Sequence, residues 1–127
     1  MKLGVMSDTH NNVSNTRQAL DVMRAHGVER IIHCGDITGP QIVEMFTGWR
    51  VDFLLGNIDH DPDALREAVG ALGDATIGHA LRAEIDGVRI AATHGHDEPL
   101  LRGLIHAGNH AFVFHGHSHR RRDEIDA

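Results

Sequence analysis

The chain has one cysteine in 127 residues, no tyrosine, one tryptophan and four phenylalanines. A lone cysteine excludes an intramolecular disulfide framework. Cys34, which follows Ile31-Ile32-His33, reads as a small buried residue. With so few rings the core has to be aliphatic, drawn from Val, Ile, Leu and Ala. No segment approaches the ~18 apolar residues of a membrane-spanning helix, and no charged-then-apolar leader precedes a small-residue cleavage site. No membrane association is expected, and the expected location is cytoplasmic. Positive charge is also short: 12 Lys and Arg against 18 Asp and Glu give a net charge of −6. That balance argues against a broad nucleic-acid surface. The only basic run, Arg120-Arg121-Arg122, meets Asp123 and Glu124 at once and reads as a solvated chain end.

What is present otherwise has ordinary globular proportions, 41% hydrophobic and 24% charged. The length suits one domain, residues 1–127, able to bury roughly two thirds of its unfolded surface. One residue type is in excess: there are twelve histidines, to be sorted into ligands and bystanders.

Met1 to Ser7 is a short apolar run ending at Asp8, which suits a buried strand. A helix is predicted from Asn12 to Gly27, with Asn and Ser as start signals and Gly27 as its stop. Arg30 to Cys34 is the next strand. Pro40 opens a helix through Phe46, closed by Gly48, and Val51 to Leu55 is a third strand. Pro62 starts a helix to about Leu72. Ala80 to Asp86 and Val88 to Thr93 form a hairpin about Asp86-Gly87. A helix from about Glu98 to Ala107 and a strand from Ala111 to His115 follow. Such alternation implies a mainly parallel sheet with helices packed on it, and the hairpin implies a second, antiparallel layer.

In open α/β sheets ligands bind beyond the carboxyl ends of the strands. Five strand ends here carry compact polar motifs: Asp8-x-His10, Gly35-Asp36, Gly56-Asn57, His94-Gly95-His96 and His117-Ser118-His119. In extended chain, residues i and i+2 point to one side, so the D-x-H and H-x-H pairs can face one crevice. Two carboxylates, an amide and several imidazoles close together require positive charge to bind. Nitrogen with carboxylate oxygen suits zinc, iron, nickel or manganese. Seven ligands exceed one four-coordinate site and fit two ions sharing a carboxylate, the arrangement used for phosphoester hydrolysis.

The series SDTH (Ser7 to His10), CGDI (Cys34 to Ile37), GNID (Gly56 to Asp59), THGH (Thr93 to His96) and GHSH (Gly116 to His119) resembles the calcineurin-like metallophosphoesterase superfamily. Within it, the chain is most similar to the small stand-alone bacterial and archaeal phosphodiesterases. The five motifs occur in family order across nearly the whole chain. The resemblance implies a four-layer α/β/β/α sandwich. It implies that Asp8, His10 and His119 hold one divalent ion, that Asp36 bridges two, and that Asn57, His94 and His117 complete the second site. Manganese is the first expectation, with nickel, iron, zinc or magnesium compatible. The implied reaction is hydrolysis of small phosphodiesters, and of monoesters too, by a hydroxide bridging a dinuclear centre, with Asp36, Asn57 and His94 acting through it. The rival is a non-catalytic scaffold of the same fold, such as the family member in the retromer complex. That member has lost part of its histidine set, whereas all seven ligand positions are filled here.

Two departures from the family pattern stand out. Many members carry a histidine directly after the metal-binding Asn, where it stabilises the transition state or protonates the leaving group; here the residue is Ile58, which can do neither. Losing a general acid costs about 10²–10⁴-fold in rate, so modest activity and a preference for good leaving groups are expected. His96 and Asp59 are secondary candidates for the site, His96 or His60 as replacement acids and Asp59 as a partner of the ligand imidazoles. The second departure is that relatives continue past the H-x-H motif, whereas this sequence ends at Ala127, so the expectation is either a reduced second sheet or a further tail beyond Ala127. His26, His79, His106 and His110 lack partner spacing and read as bystanders. His33 reads as buried and hydrogen-bonded, and His115 as a supporting residue at most.

Overall fold

The computed structural model of the protein describes residues 2–116. The first sheet contains β1 (Leu3–Met6), β2 (Arg30–His33), β3 (Arg50–Leu54) and β4 (Ala75–Gly78), parallel and in that spatial order. The helices α1 (Val13–Ala25), α2 (Pro40–Glu44) and α3 (Pro62–Leu72) connect them in turn. Right-handed crossovers that all advance in one direction put every connecting helix on the same face. The other face is thereby left for a second sheet.

That sheet contains β5 (Ala80–Ile85), β6 (Val88–Thr93) and β7 (Phe112–Phe114), with α4 (Glu98–His106) between the last two. β5 and β6 form the expected antiparallel hairpin. Asp86 and Gly87 take φ of 50° and 81°, the double left-handed turn that the right-handed twist of a hairpin favours. β7 lies parallel to β6 after the α4 crossover, and the second sheet has three strands among the described residues.

The core divides as strand alternation requires. On the helix side Ile31, Val51 and Phe53 pack with Leu20, Ile42, Val43, Phe46, Leu65 and Val69. Between the sheets, Ile32, Cys34 and Leu54 meet Ile90 and Ala92. All four residues of β2 are buried, as expected of a central parallel strand covered on both faces. The same strand starts with Arg30, whose Nε and Nη2 each donate to Asp52 Oδ2 at 2.8 Å; Thr76 Oγ1 donates to Asp52 Oδ1 at 2.7 Å. This buried ion pair sits at the opposite end of the strands from the polar motifs.

The helix limits follow their start signals. Asn12 caps α1 by accepting the Asn15 N–H, Asp61 caps α3 from Ala64, and Asp97 caps α4 from Leu100. The sequence reading had no counterpart to β4. Ala-Thr-Ile-Gly offers one large apolar side chain, too little for a local signal. Pairing with β3, Val51 opposite Ala75 and Phe53 opposite Ile77, makes it a strand.

Candidate metal centre

Beyond β1 and β2 the two chains keep running side by side. The N–H of Asp8 donates to the Gly35 carbonyl (2.9 Å), that of His10 to Asp36 (2.9 Å) and that of Asn11 to Ile37 (3.1 Å). Asp8, His10, Asp36 and Thr38 all take left-handed φ, 58°, 48°, 58° and 72°. Such backbone is costly for non-glycine residues and survives only where its surroundings over-determine it. Asp59 supplies part of that determination. Its Oδ2 accepts the N–H of Asp36 (3.0 Å) and Gly56 (2.7 Å), and its Oδ1 that of Thr38 (2.8 Å). A buried carboxylate taking three backbone N–H groups therefore ties the loops after β2 and β3 together. Gly56 is needed at their contact, because a Cβ there would lie 2.9 Å from Asp36 Cγ and nearer still to its Oδ1.

Five of the seven expected ligands converge at this junction. His10 Nε2 lies 3.5 Å from Asp8 Oδ1 and 3.6 Å from Asp36 Oδ2. Ser7 Oγ donates to Asp8 Oδ2 at 2.5 Å, a partner that the motif reading passed over. Asp36 is almost fully buried, with Oδ1 accepting the Ile58 N–H at 3.3 Å. Its Oδ2 also lies 3.3 Å from His94 Nε2. His94 is buried, and its Nδ1–H donates to the Cys34 carbonyl at 2.7 Å. That bond leaves the Nε2 lone pair of the neutral ring facing Asn57 Oδ1 at 3.0 Å as well as Asp36. His117 and His119 lie outside the described residues.

The chemistry of this donor set tests its fitness for a metal. An imidazole lone pair and two oxygen acceptors point at one another, and one ligand atom each from Asp8, His10 and Asp36 falls within 4.8 Å of the others. Burial, with Asp8 beside it, pushes the Asp36 carboxyl above the usual carboxylate range. Carboxylates, an amide oxygen and an imidazole lone pair brought together are stabilised by a cation, and mixed imidazole and carboxylate ligation suits divalent transition metals. The set fits.

The remaining candidates fall around this cluster. His96 is exposed, its ring 5.4 Å from that of His94 and tilted by 46°. His60 is exposed as well. The acceptor fixing His94 is a backbone carbonyl, whereas the oxygens of Asp59 are engaged by N–H groups. His115 is half-buried with Nδ1 3.2 Å from the Gly116 carbonyl. His33 is fully buried, accepts the Gly35 N–H at Nδ1 (3.1 Å) and meets Thr9 Oγ1 at Nε2 (3.1 Å). Burial holds its pKa down at about 4. Cys34 is fully buried, its thiol pushed up to about 12 by the same cause, so it stays uncharged. A cavity of about 370 Å3 opens beside Asp8 and His10, lined among others by Met6, Ser7, Asn12, Asn15 and Ala19. No helix among the described residues is long and apolar enough to cross a membrane.

Known proteins share this arrangement of chain. The sequence profile of the calcineurin-like phosphoesterase superfamily domain matches residues 1–127. The phosphodiesterase MJ0936 of Methanocaldococcus jannaschii is 32% identical, over 99% of this chain and 78% of the relative. A solved archaeal phosphodiesterase superposes with a TM-score of 0.91 at 32% identity, over 99% of this chain and 79% of its own. Vps29 of Chaetomium thermophilum, 13% identical, superposes with a TM-score of 0.61 over 93% of this chain and 63% of its own. At that identity the likeness is one of fold.

Proposed function

Since the chain belongs to the calcineurin-like phosphoesterase superfamily, a family of metal-dependent phosphoester hydrolases, we propose that it hydrolyses small phosphodiesters at a dinuclear centre. The observation that carries this reading is the position of Asp36 Oδ2. It faces His10 Nε2 on one side and His94 Nε2 on the other, at 3.6 and 3.3 Å, where a ligand common to two ions belongs. Asp8, His10 and Asp36 would hold one ion and Asp36, Asn57 and His94 the other. His119 and His117 are assigned to the first and second set by resemblance.

Divalent ions held there neutralise charge on a phosphate and lower the pKa of a coordinated water, manganese being the first choice and nickel, iron, zinc or magnesium compatible. The protein's own part is orientation. Ile58 N–H holds Asp36 Oδ1, which turns Oδ2 inward. The Cys34 carbonyl holds the His94 proton on Nδ1, which keeps Nε2 a donor of electrons and strengthens it as a ligand. Ile58 itself offers no proton, so a departing alkoxide depends on its own stability or on exposed His96 or His60. The cavity beside Asp8 and His10 has room for the organic part of an ester.

The test is turnover of bis-p-nitrophenyl phosphate by purified protein in added manganese. Metal-dependent release of nitrophenol, abolished by a chelator and restored by manganese, is expected, with faster turnover for better leaving groups. Two bound equivalents of metal without turnover in any divalent ion would overturn the enzyme reading in favour of a scaffold.

A further inference from the structure

The residue between the two site-facing side chains of Asp8-Thr9-His10 points the other way. Thr9 Oγ1 reaches down to His33 Nε2 at 3.1 Å, and the His33 ring is wholly buried beside Phe46 and Phe53. The other ring nitrogen receives the Gly35 N–H at 3.1 Å. A backbone amide only donates, so Nδ1 is unprotonated and the ring hydrogen of the neutral imidazole is on Nε2, donating to Thr9. With its two nitrogens, His33 therefore grips the middle of the loop that carries Asp8 and His10, and the start of the loop that carries Asp36.

Backbone hydrogen bonds already join these loops, from Asp8 to Gly35 and from His10 to Asp36. The Thr9–His33 bond, with His33 also accepting the Gly35 N–H, adds a side-chain tie between the same two loops. A polar pair placed under an apolar core is costly unless each group is satisfied, and here the two satisfy each other.

We propose that Thr9 and His33 form a strut that sets the spacing of the Asp8–His10 pair from Asp36, making Thr9 a positioning residue for metal capture. The inference rests on reading this cluster as the metal centre. Its test uses Thr9→Val, which removes the hydroxyl at nearly constant volume, and Thr9→Ser, which keeps it. Manganese affinity and stoichiometry are measured calorimetrically on proteins whose circular dichroism matches wild type, and the His33 tautomer is read by nitrogen NMR on metal-free wild type. T9V is expected to bind manganese about 10-fold or more weakly, the usual effect of losing a group behind a metal ligand, and T9S to bind as wild type does. T9V with wild-type affinity, or T9S as weak as T9V, overturns the strut while leaving the metal centre standing. A proton on His33 Nδ1 overturns it whatever the metal result. Wild type that binds no manganese overturns the metal reading, and the inference with it.

Discussion

Stability should fall as pH drops from 6.5 toward 4, and His33 is the reason. Its ring is fully buried and its pKa is lowered from 6.5 to about 4 by burial. In that window the unfolded chain binds a proton at this site and the folded chain does not, so acid favours unfolding. At ~1.4 kcal/mol per pH unit the fall amounts to about 3 kcal/mol, of which about 2 kcal/mol is lost by pH 5. Other groups titrate here too. Burial raises the Asp36 carboxyl, so that group acts in the opposite sense and stabilises as pH falls. Comparison with His33→Gln removes the shared contributions. Urea unfolding followed by circular dichroism, in chelator and at steps from pH 4.5 to 7.5, supplies both curves. At pH 7 H33Q should be about 2–3 kcal/mol less stable, from poorer packing and two disturbed hydrogen bonds. By pH 5 that gap should shrink by about 2 kcal/mol. A gap that stays constant from pH 7 to 4.5 refutes the claim that His33 is held neutral by burial.

Three further outcomes follow from named contacts. Asp36→Asn keeps the shape of the side chain but removes the charge facing both His10 and His94; turnover should fall about 100-fold or more, and a variant within about threefold of wild type argues against a shared ligand. Gly56→Ala sets a Cβ against the Asp36 carboxylate, so manganese affinity by calorimetry should fall about 10-fold and stability by about 1–3 kcal/mol; unchanged affinity would mean that the loop yields without moving Asp36. Arg30→Met leaves Asp52 buried beside Thr76 without its cation, at a cost of about 3–5 kcal/mol in denaturant unfolding. Turnover per folded molecule should not change, because the pair lies at the far end of the strands.

Much of the architecture is written in local signals. Capping residues, proline starts and glycine stops place α1, α3 and α4 within a residue or two of their limits, and Asp86-Gly87 marks its hairpin. β4 escaped because Ala75–Gly78 has no periodicity of its own; its strand character is borrowed from β3. The candidate site divides in the same way. Asp8, His10, Asp36, Asn57 and His94 were legible as strand-end motifs. Asp59 was legible as an acid near the site, but its task of holding three backbone N–H groups was not. Nor was the strut from Thr9 to His33, since nothing in Asp-Thr-His distinguishes the middle residue from a spacer until the core beneath it is seen.

By itself, then, the sequence determined which residue types stand at which strand ends; the two-residue period of extended chain did not apply to Asp8 and His10, which lie past the end of β1 with left-handed φ of 58° and 48°. Tertiary structure alone decided that one oxygen of Asp36 faces both His10 and His94, and that the Cys34 carbonyl selects the His94 tautomer. Spacing along a chain carries information about directions over a few residues only. Distances between residues 8, 36, 57 and 94 exist only once the parallel strands have paired and the second sheet has closed over them.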